Sequence, residues 1–162
     1  MKGRHVVLVA FAAAVILTSI AAAGPHAAKQ RVAIITNGAA NTSSPAEFVL
    51  TPLRAGALKR DSGSTKVDGS LPPERVAIRN GQKVAIYDPI VEKLEGKRGT
   101  LVLRSRIEYV DAGNGYHVGT GTWKVVRGTG QYARITGGGR RGDVYLDRGP
   151  WSGRNEGFFT LP

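Results

Sequence analysis

Over residues 100–110 the chain alternates with a period of two. Leu101, Leu103, Ser105, Ile107 and Tyr109 fall on one side, and Thr100, Val102, Arg104, Arg106 and Glu108 on the other. Such segregation marks a strand with one face packed and the other in water. Residues 76–79 and 82–86 are shorter β-type runs that flank Asn80-Gly81, a pair that tolerates the positive φ values of a type I′ hairpin turn. Residues 31–36, 47–53, 116–126, 133–140, 143–146 and 155–161 also read as strands, with glycine-rich reversals at 96–99 and 111–115. Residues 37–45 read as a loop, and 61–73, dense in Gly, Ser, Asp and Pro, as a long surface loop. No window beyond the first 23 residues carries a 3.6-residue apolar stripe. Strands joined by short reversals predict an all-β domain, a closed antiparallel barrel of about eight strands, with a two-sheet sandwich as the alternative.

The N-terminus has a different pattern. Lys2 and Arg4 precede an almost unbroken apolar run over residues 6–20, and Ala21-Ala22-Ala23 supplies small residues at its end. These features describe an export signal, and the run is shorter than the roughly 20 residues of a spanning helix. Cleavage is expected after Ala23, with the bonds at Gly24 and Ala28 as alternatives. The expected organisation is a signal peptide over 1–23, a flexible leader over 24–30 and one domain over 31–162. The protein is then secreted or otherwise extracytoplasmic, and not transmembrane. Removing 23 of the 162 residues leaves 139, enough for one core. The chain has no cysteine. An exported domain without disulfides depends on burial and backbone hydrogen bonding, which favours a sheet with no open edges.

Charge adds a class of partner. The formal charge is +11, and losing Lys2 and Arg4 with the signal leaves +9. That surface attracts anionic polymers and anionic surfaces without specificity. No basic block or RNA-binding motif accompanies it, so no specific nucleic-acid recognition is expected. Metal and cofactor chemistry find no support either: there is no zinc ligand set and no calcium-loop motif. His117, the one histidine beyond the leader, lies beside a reversal and reads as a surface residue. Arg141-Gly142-Asp143 spells an adhesion tripeptide, but Gly142 suits a hairpin turn. Asn41-Thr42-Ser43 fits a glycosylation sequon.

Residues 123–139 read W-K-V-V-R-G-T-G-Q-Y-A-R-I-T-G-G-G. As a string, Gly128 to Ala133 mimics a dinucleotide fingerprint, but that motif needs a following helix to hold a pyrophosphate, and Ile135-Thr136 with three glycines does not form one. The same residues resemble the glycine motif of plant dirigent proteins and allene oxide cyclases. They resemble more closely still a group of bacterial exported proteins with an allene-oxide-cyclase-like, calycin-like barrel. The resemblance rests on Gly128-Thr129-Gly130, Tyr132, Ile135 and Gly137. It extends through residues 119–124 and more faintly to 50–53 and 61–63. It implies an eight-stranded antiparallel barrel, often a homotrimer in the plant relatives, and it transfers no catalytic residue to this chain. Physically, Gly128 and Gly130 let the chain turn tightly, with Tyr132 covering a barrel end. Gly119 and Gly121 leave room for a neighbouring ring.

Asp88 is the acid that looks out of place. Val84, Ile86, Asp88 and Ile90 share one phase, which points Asp88 into the barrel unless Pro89 ends or bulges the strand and turns it to solvent. The candidate ligand-binding residues are therefore Asp88, Leu103, Ile107, Tyr109 and Trp123. The expected function is non-catalytic: binding of a small apolar ligand, or surface interaction. The alternative is an isomerase- or cyclase-like enzyme with a lumenal carboxylate. A lumen packed solid by Leu101, Leu103, Ile107 and Trp123 removes both ligand readings. An open apolar lumen favours the carrier, and an open lumen containing Asp88 favours the enzyme.

Overall fold

The computed structural model describes residues 28–39 and 46–162. The expected signal peptide, most of the leader and the Asn41 sequon lie outside the described residues. Nine strands follow in chain order. They are β1 (Lys29–Gly38), β2 (Ala46–Pro52), β3 (Asp61–Val67), β4 (Arg75–Arg79), β5 (Gln82–Gly96), β6 (Gly99–Gly113), β7 (Tyr116–Gly128), β8 (Thr136–Leu146) and β9 (Trp151–Thr160). The one helical element among them is a single 3-10 turn, Gly130–Tyr132. No helix among the described residues is long and apolar enough to cross a membrane.

All nine strands belong to one antiparallel sheet ordered β3-β2-β1-β9-β8-β7-β6-β5-β4. A further pairing of β3 with β5 closes it into a ring. The circuit runs through every strand but β4. β5 makes this geometry workable because it is long: its first residues, 82–86, pair with β4 and its last, 92–96, pair with β3. Asn80 and Gly81, at φ 51° and 77°, join β4 to β5 as a type I′ turn requires, and Asn114-Gly115 repeats the device at φ 55° and 77° between β6 and β7.

The strand that closes the ring is the one the sequence pattern conceals. Residues 61–73 read as a loop, yet Asp61–Val67 is β3, paired on one side with β2 and on the other with β5. Its composition is loop-like because space, not hydrophobicity, governs its inward positions. A Cβ at Gly63 would overlap the Glu95 carbonyl oxygen, and one at Gly96 would overlap the Asp61 carboxylate. Asp61 is buried and fully engaged. It accepts hydrogen bonds from the Ser62 N–H at 2.9 Å, the Arg98 N–H at 3.2 Å and the Tyr132 hydroxyl at 2.9 Å. One side chain thus ties the closing strand to the β5–β6 turn and to the 3-10 turn.

Two further boundaries differ from the expectation. Lys29 and Gln30 belong to β1, not to the leader. The Gln30 amide donates to the Arg54 carbonyl at 2.9 Å and accepts from the Leu58 N–H at 3.1 Å, pinning the loop after β2. Gly142 makes no hairpin, and β8 runs straight through it. With Arg141 and Asp143 buried on the inward face, Gly142 lies on the outer one.

Apolar side chains fill the end of the ring that the 3-10 turn covers. Leu50, Leu94, Leu101, Leu103, Phe159 and Tyr132 are all almost wholly buried there. Each such side chain contributes roughly 1.5–3 kcal/mol of burial. Trp123 joins them, edge-on to Phe159 at 5.9 Å, and its indole N–H donates to the Arg140 carbonyl at 3.0 Å. Gly139 and Gly157 lie level with it on β8 and β9, where a Cβ on either would overlap the backbone of the other strand.

The Asp61 lock has a measurable consequence. Asp61→Ala leaves the Tyr132 hydroxyl and the Arg98 N–H without their acceptor, and is expected to cost about 1–3 kcal/mol. Urea unfolding should report this as a lower midpoint with an unchanged slope.

Candidate functional site

The other end of the ring is hollow. A cavity of about 790 Å³ opens between the β8–β9 turn, the loop after β3 and the middle of β5 and β6. Its walls carry four aromatic residues, Tyr87, Tyr109, Tyr145 and Trp151, with Ala46, Val67 and Ile90. Tyr109 stands at the centre, edge-on to Tyr87 at 5.9 Å and to Tyr145 at 5.2 Å, and the His117 ring stacks on Tyr145 at 4.4 Å.

Three buried charges line the cavity beneath these rings. Glu92 on β5 is 5 % exposed, Arg141 on β8 6 % and Asp143 on β8 7 %. The alternation of a strand puts Arg141 and Asp143 on one face, two residues apart. The Arg141 Nε donates to both Asp143 oxygens at 2.9 Å, and its Nη1 and Nη2 donate to the two Glu92 oxygens. Nη1 also reaches the Ser105 Oγ at 3.4 Å. β5 and β8 are not neighbours in the sheet, so this guanidinium spans the lumen. Glycines make room for its neighbours. Gly121 and Gly153 lie level with Arg141 and Asp143, and a Cβ at Gly119 would overlap the Tyr109 ring.

The electrostatics follow from burial. Desolvation alone would lower the pKa of Arg141, but Glu92 and Asp143 more than offset it and push it up. Burial, reinforced by the charge of Asp143, raises the Tyr109 phenol well above its usual range, so it stays protonated and donates to Asp143 Oδ2 at 2.8 Å. Tyr87 is pushed up to about 12 by burial and by its hydrogen bond to Glu74. Two polar atoms on the inward face have no partner among the described residues. They are the Oγ1 of Thr65, which lines the cavity, and the Oδ1 of Asn155, level with Arg141 in the β8–β9 register.

Of the five residues singled out from sequence, Tyr109 lines this cavity. Leu103 and Trp123 belong to the packed end, and Ile107 is fully buried without reaching the cavity wall. Asp88 does not face the lumen. The register slips between Tyr87 and Ile90, where Pro89 has no N–H to offer β6, and the slip reverses the phase of the strand. Tyr87 and Ile90 both face inward. Asp88 is left on the outer side, 3.7 Å from Arg75 and 3.5 Å from Arg106. The apolar phase read through Val84 and Ile86 is real but lies on the outer face, level with Val110 and Glu108 of β6. His117 is more sheltered than a surface residue: its side chain is 23 % exposed, stacked on Tyr145 and 3.0 Å from Asp147.

Glu92, Ser105, Arg141, Asp143 and Thr65 escaped the sequence reading. Glu92 and Ser105 had a signal, since both continue the inward phase of their strands between Ile90 and Leu94 and between Leu103 and Ile107. A search against family models, curated proteins and solved structures finds no match to this chain.

Removing the cation should be far more costly than removing the outer acid. Arg141→Met leaves two buried carboxylates without their cation and is expected to cost about 3–5 kcal/mol. Adding Glu92→Gln and Asp143→Asn should recover most of that. Asp88→Asn, a half-exposed surface pair, should cost about 0–1 kcal/mol. Denaturant unfolding of the four proteins checks the ranking.

The phenols predict a loss of stability at alkaline pH. Tyr87, Tyr109, Tyr132 and Tyr145 are all raised when folded, chiefly by burial. The folded state therefore holds protons that the unfolded chain releases near pH ~10. Their contribution is complete below that pH and falls as pH rises, through about 12 for Tyr87. Tyrosinate absorbance should lag in the folded protein and jump on unfolding at pH 11.

Proposed function

We propose that the protein is an exported, non-catalytic β-barrel that takes a small, largely apolar ligand into the open half of its lumen. The observation that carries this is the division of the interior. One end is packed solid, and the other holds about 790 Å³ walled by aromatic and aliphatic side chains over a few convergent polar groups. Pockets for small ligands have this size and make-up. Removal of Asp88 from the lumen speaks against the isomerase or cyclase reading built on it. Glu92 and Asp143 do not replace it readily, because the oxygens of both are engaged by Arg141.

The closed antiparallel ring, the Gly128–Gly130 turn and the buried Tyr132 are consistent with the allene-oxide-cyclase-like barrel that the glycine segment resembles. In that reading the circuit is an eight-stranded barrel with β4 as an appendage, and a homotrimer is one assembly to test. Export rests on the basic and apolar pattern of residues 1–23, and the net charge adds a nonspecific, salt-sensitive attraction to anionic polymers.

N-phenyl-1-naphthylamine, a neutral apolar fluorophore, is the direct probe. It should bind with a blue shift and enhanced emission, and Ala46→Phe and Val67→Trp, which fill the cavity from the paired strands β2 and β3, should each weaken it at least tenfold. Overpacking costs typically ~1–3 kcal/mol, so thermal melts accompany the titrations. Unchanged binding in two folded variants would place the probe elsewhere and remove the lumenal reading.

A further inference from the structure

Resting on the lumenal reading above, we infer that the ligand enters with a protonated amine leading, so that the site selects an organic ammonium ion over a carboxylate or a neutral alcohol. The buried charges do not balance. Two carboxylates, Glu92 and Asp143, face a single guanidinium, Arg141, which leaves the buried cluster one negative charge in excess. A buried excess charge is costly unless something of opposite sign reaches it.

Donor and acceptor capacity point the same way. Arg141 is a donor only, and its Nε, Nη1 and Nη2 all donate within the cluster, to Asp143, Glu92 and Ser105. An incoming carboxylate finds that cation already bracketed by two like charges. Each carboxylate oxygen, by contrast, has about two acceptor positions, and the bonds from Arg141 and Tyr109 do not use all of them. Thr65, 3 % exposed on the cavity wall, presents a hydroxyl oxygen with no partner among the described residues. The buried cluster at the base of the hollow therefore has acceptor positions to spare, and the Thr65 hydroxyl beside it can accept as well as donate.

The walls suit a cation as well. Four aromatic residues surround the space above the cluster, and aromatic faces attract ammonium groups through their quadrupole. The basic residues nearby do not reverse this preference. Lys66 and Arg148 also line the cavity, but both are exposed: Lys66 lies level with Lys93, on the side of β3 away from the buried Thr65, and Arg148 in the β8–β9 turn. Acids also bond two members of the aromatic cluster, Glu74 accepting from the Tyr87 hydroxyl at 2.8 Å and Asp147 lying 3.0 Å from His117. The overall positive charge acts through solvent and is screened beyond ~10 Å at 0.1 M salt, whereas the cluster acts at contact.

Displacement of N-phenyl-1-naphthylamine by four six-carbon probes at pH 7.5 and 0.15 M salt tests this. Hexylammonium should displace it at a concentration at least tenfold below hexan-1-ol, and hexanoate should be weakest. Hexyltrimethylammonium, with charge but no N–H, should fall between hexylammonium and hexan-1-ol. Glu92→Gln removes the excess charge while keeping the side chain's shape, and should bring hexylammonium within about threefold of hexan-1-ol without weakening hexan-1-ol. Asp143→Asn should do the same, which covers the case where one of the two variants fails to fold. Hexanoate matching hexylammonium, or a preference for ammonium that survives both charge removals, overturns the inference. If either variant cannot be purified folded, the wild-type ranking and the other variant decide it. Failure of the fluorophore and hexan-1-ol to bind at all instead overturns the lumenal reading, leaving the two failures distinguishable.

Discussion

The pairing of β3 with β5 is the constraint on which the rest of the molecule depends. Without it the sheet is an open ribbon with β3 and β4 at its edges, and in a chain with no cysteine nothing covalent would hold that ribbon in a curve. Closure demands that β5 carry two partners along one edge, β4 first and β3 afterwards. It also demands that β3 approach closely enough for Gly63 and Gly96 to have no side chains. Asp61 secures the approach through bonds to the two turns that cap that end, so closure and capping are one event.

From closure follows the division of the interior. At the capped end, large apolar side chains from most of the strands meet under Tyr132. Toward the other end the inward positions change to Glu92, Ser105, Arg141 and Asp143, flanked by Gly119, Gly121 and Gly153. Gly153 on β9 leaves room for the Asp143 carboxylate, and Gly119 on β7 for the Tyr109 ring. The hollow and the charge cluster belong together, because Glu92, Arg141 and Asp143 form part of the cavity lining.

Features set by local physics were legible in the sequence. Asn80-Gly81 needs only its own two residues to specify a turn, and the alternation of β6 needs only a difference between its two faces. The tight turn at Gly130 likewise needs only a residue that tolerates positive φ, whereas the burial of Tyr132 rests on Asp61 and Phe159, remote in sequence. What was illegible depended on partners remote in sequence. β3 has loop composition because Glu95 and Gly96, some thirty residues on, occupy the space its side chains would take. The phase of β5 could not be carried across Pro89, because the bulge is defined against β6. Arg141 and Asp143 looked like a chance tripeptide because the residue that explains them, Glu92, lies 49 positions away. Polar residues in an inward phase, Glu92 and Ser105 among apolar neighbours, were the signal that would have exposed the site.

The account stands or falls on what occupies the space between Tyr87, Tyr145 and the Glu92–Arg141–Asp143 cluster. A high-resolution crystal structure of the protein purified from its own host, with no ligand added, measures this directly. The account predicts an intact transverse Arg141 with a small molecule or ordered water against Glu92, Asp143 and Thr65. A lumen filled by the chain's own side chains, with Arg141 turned out to solvent, would contradict it.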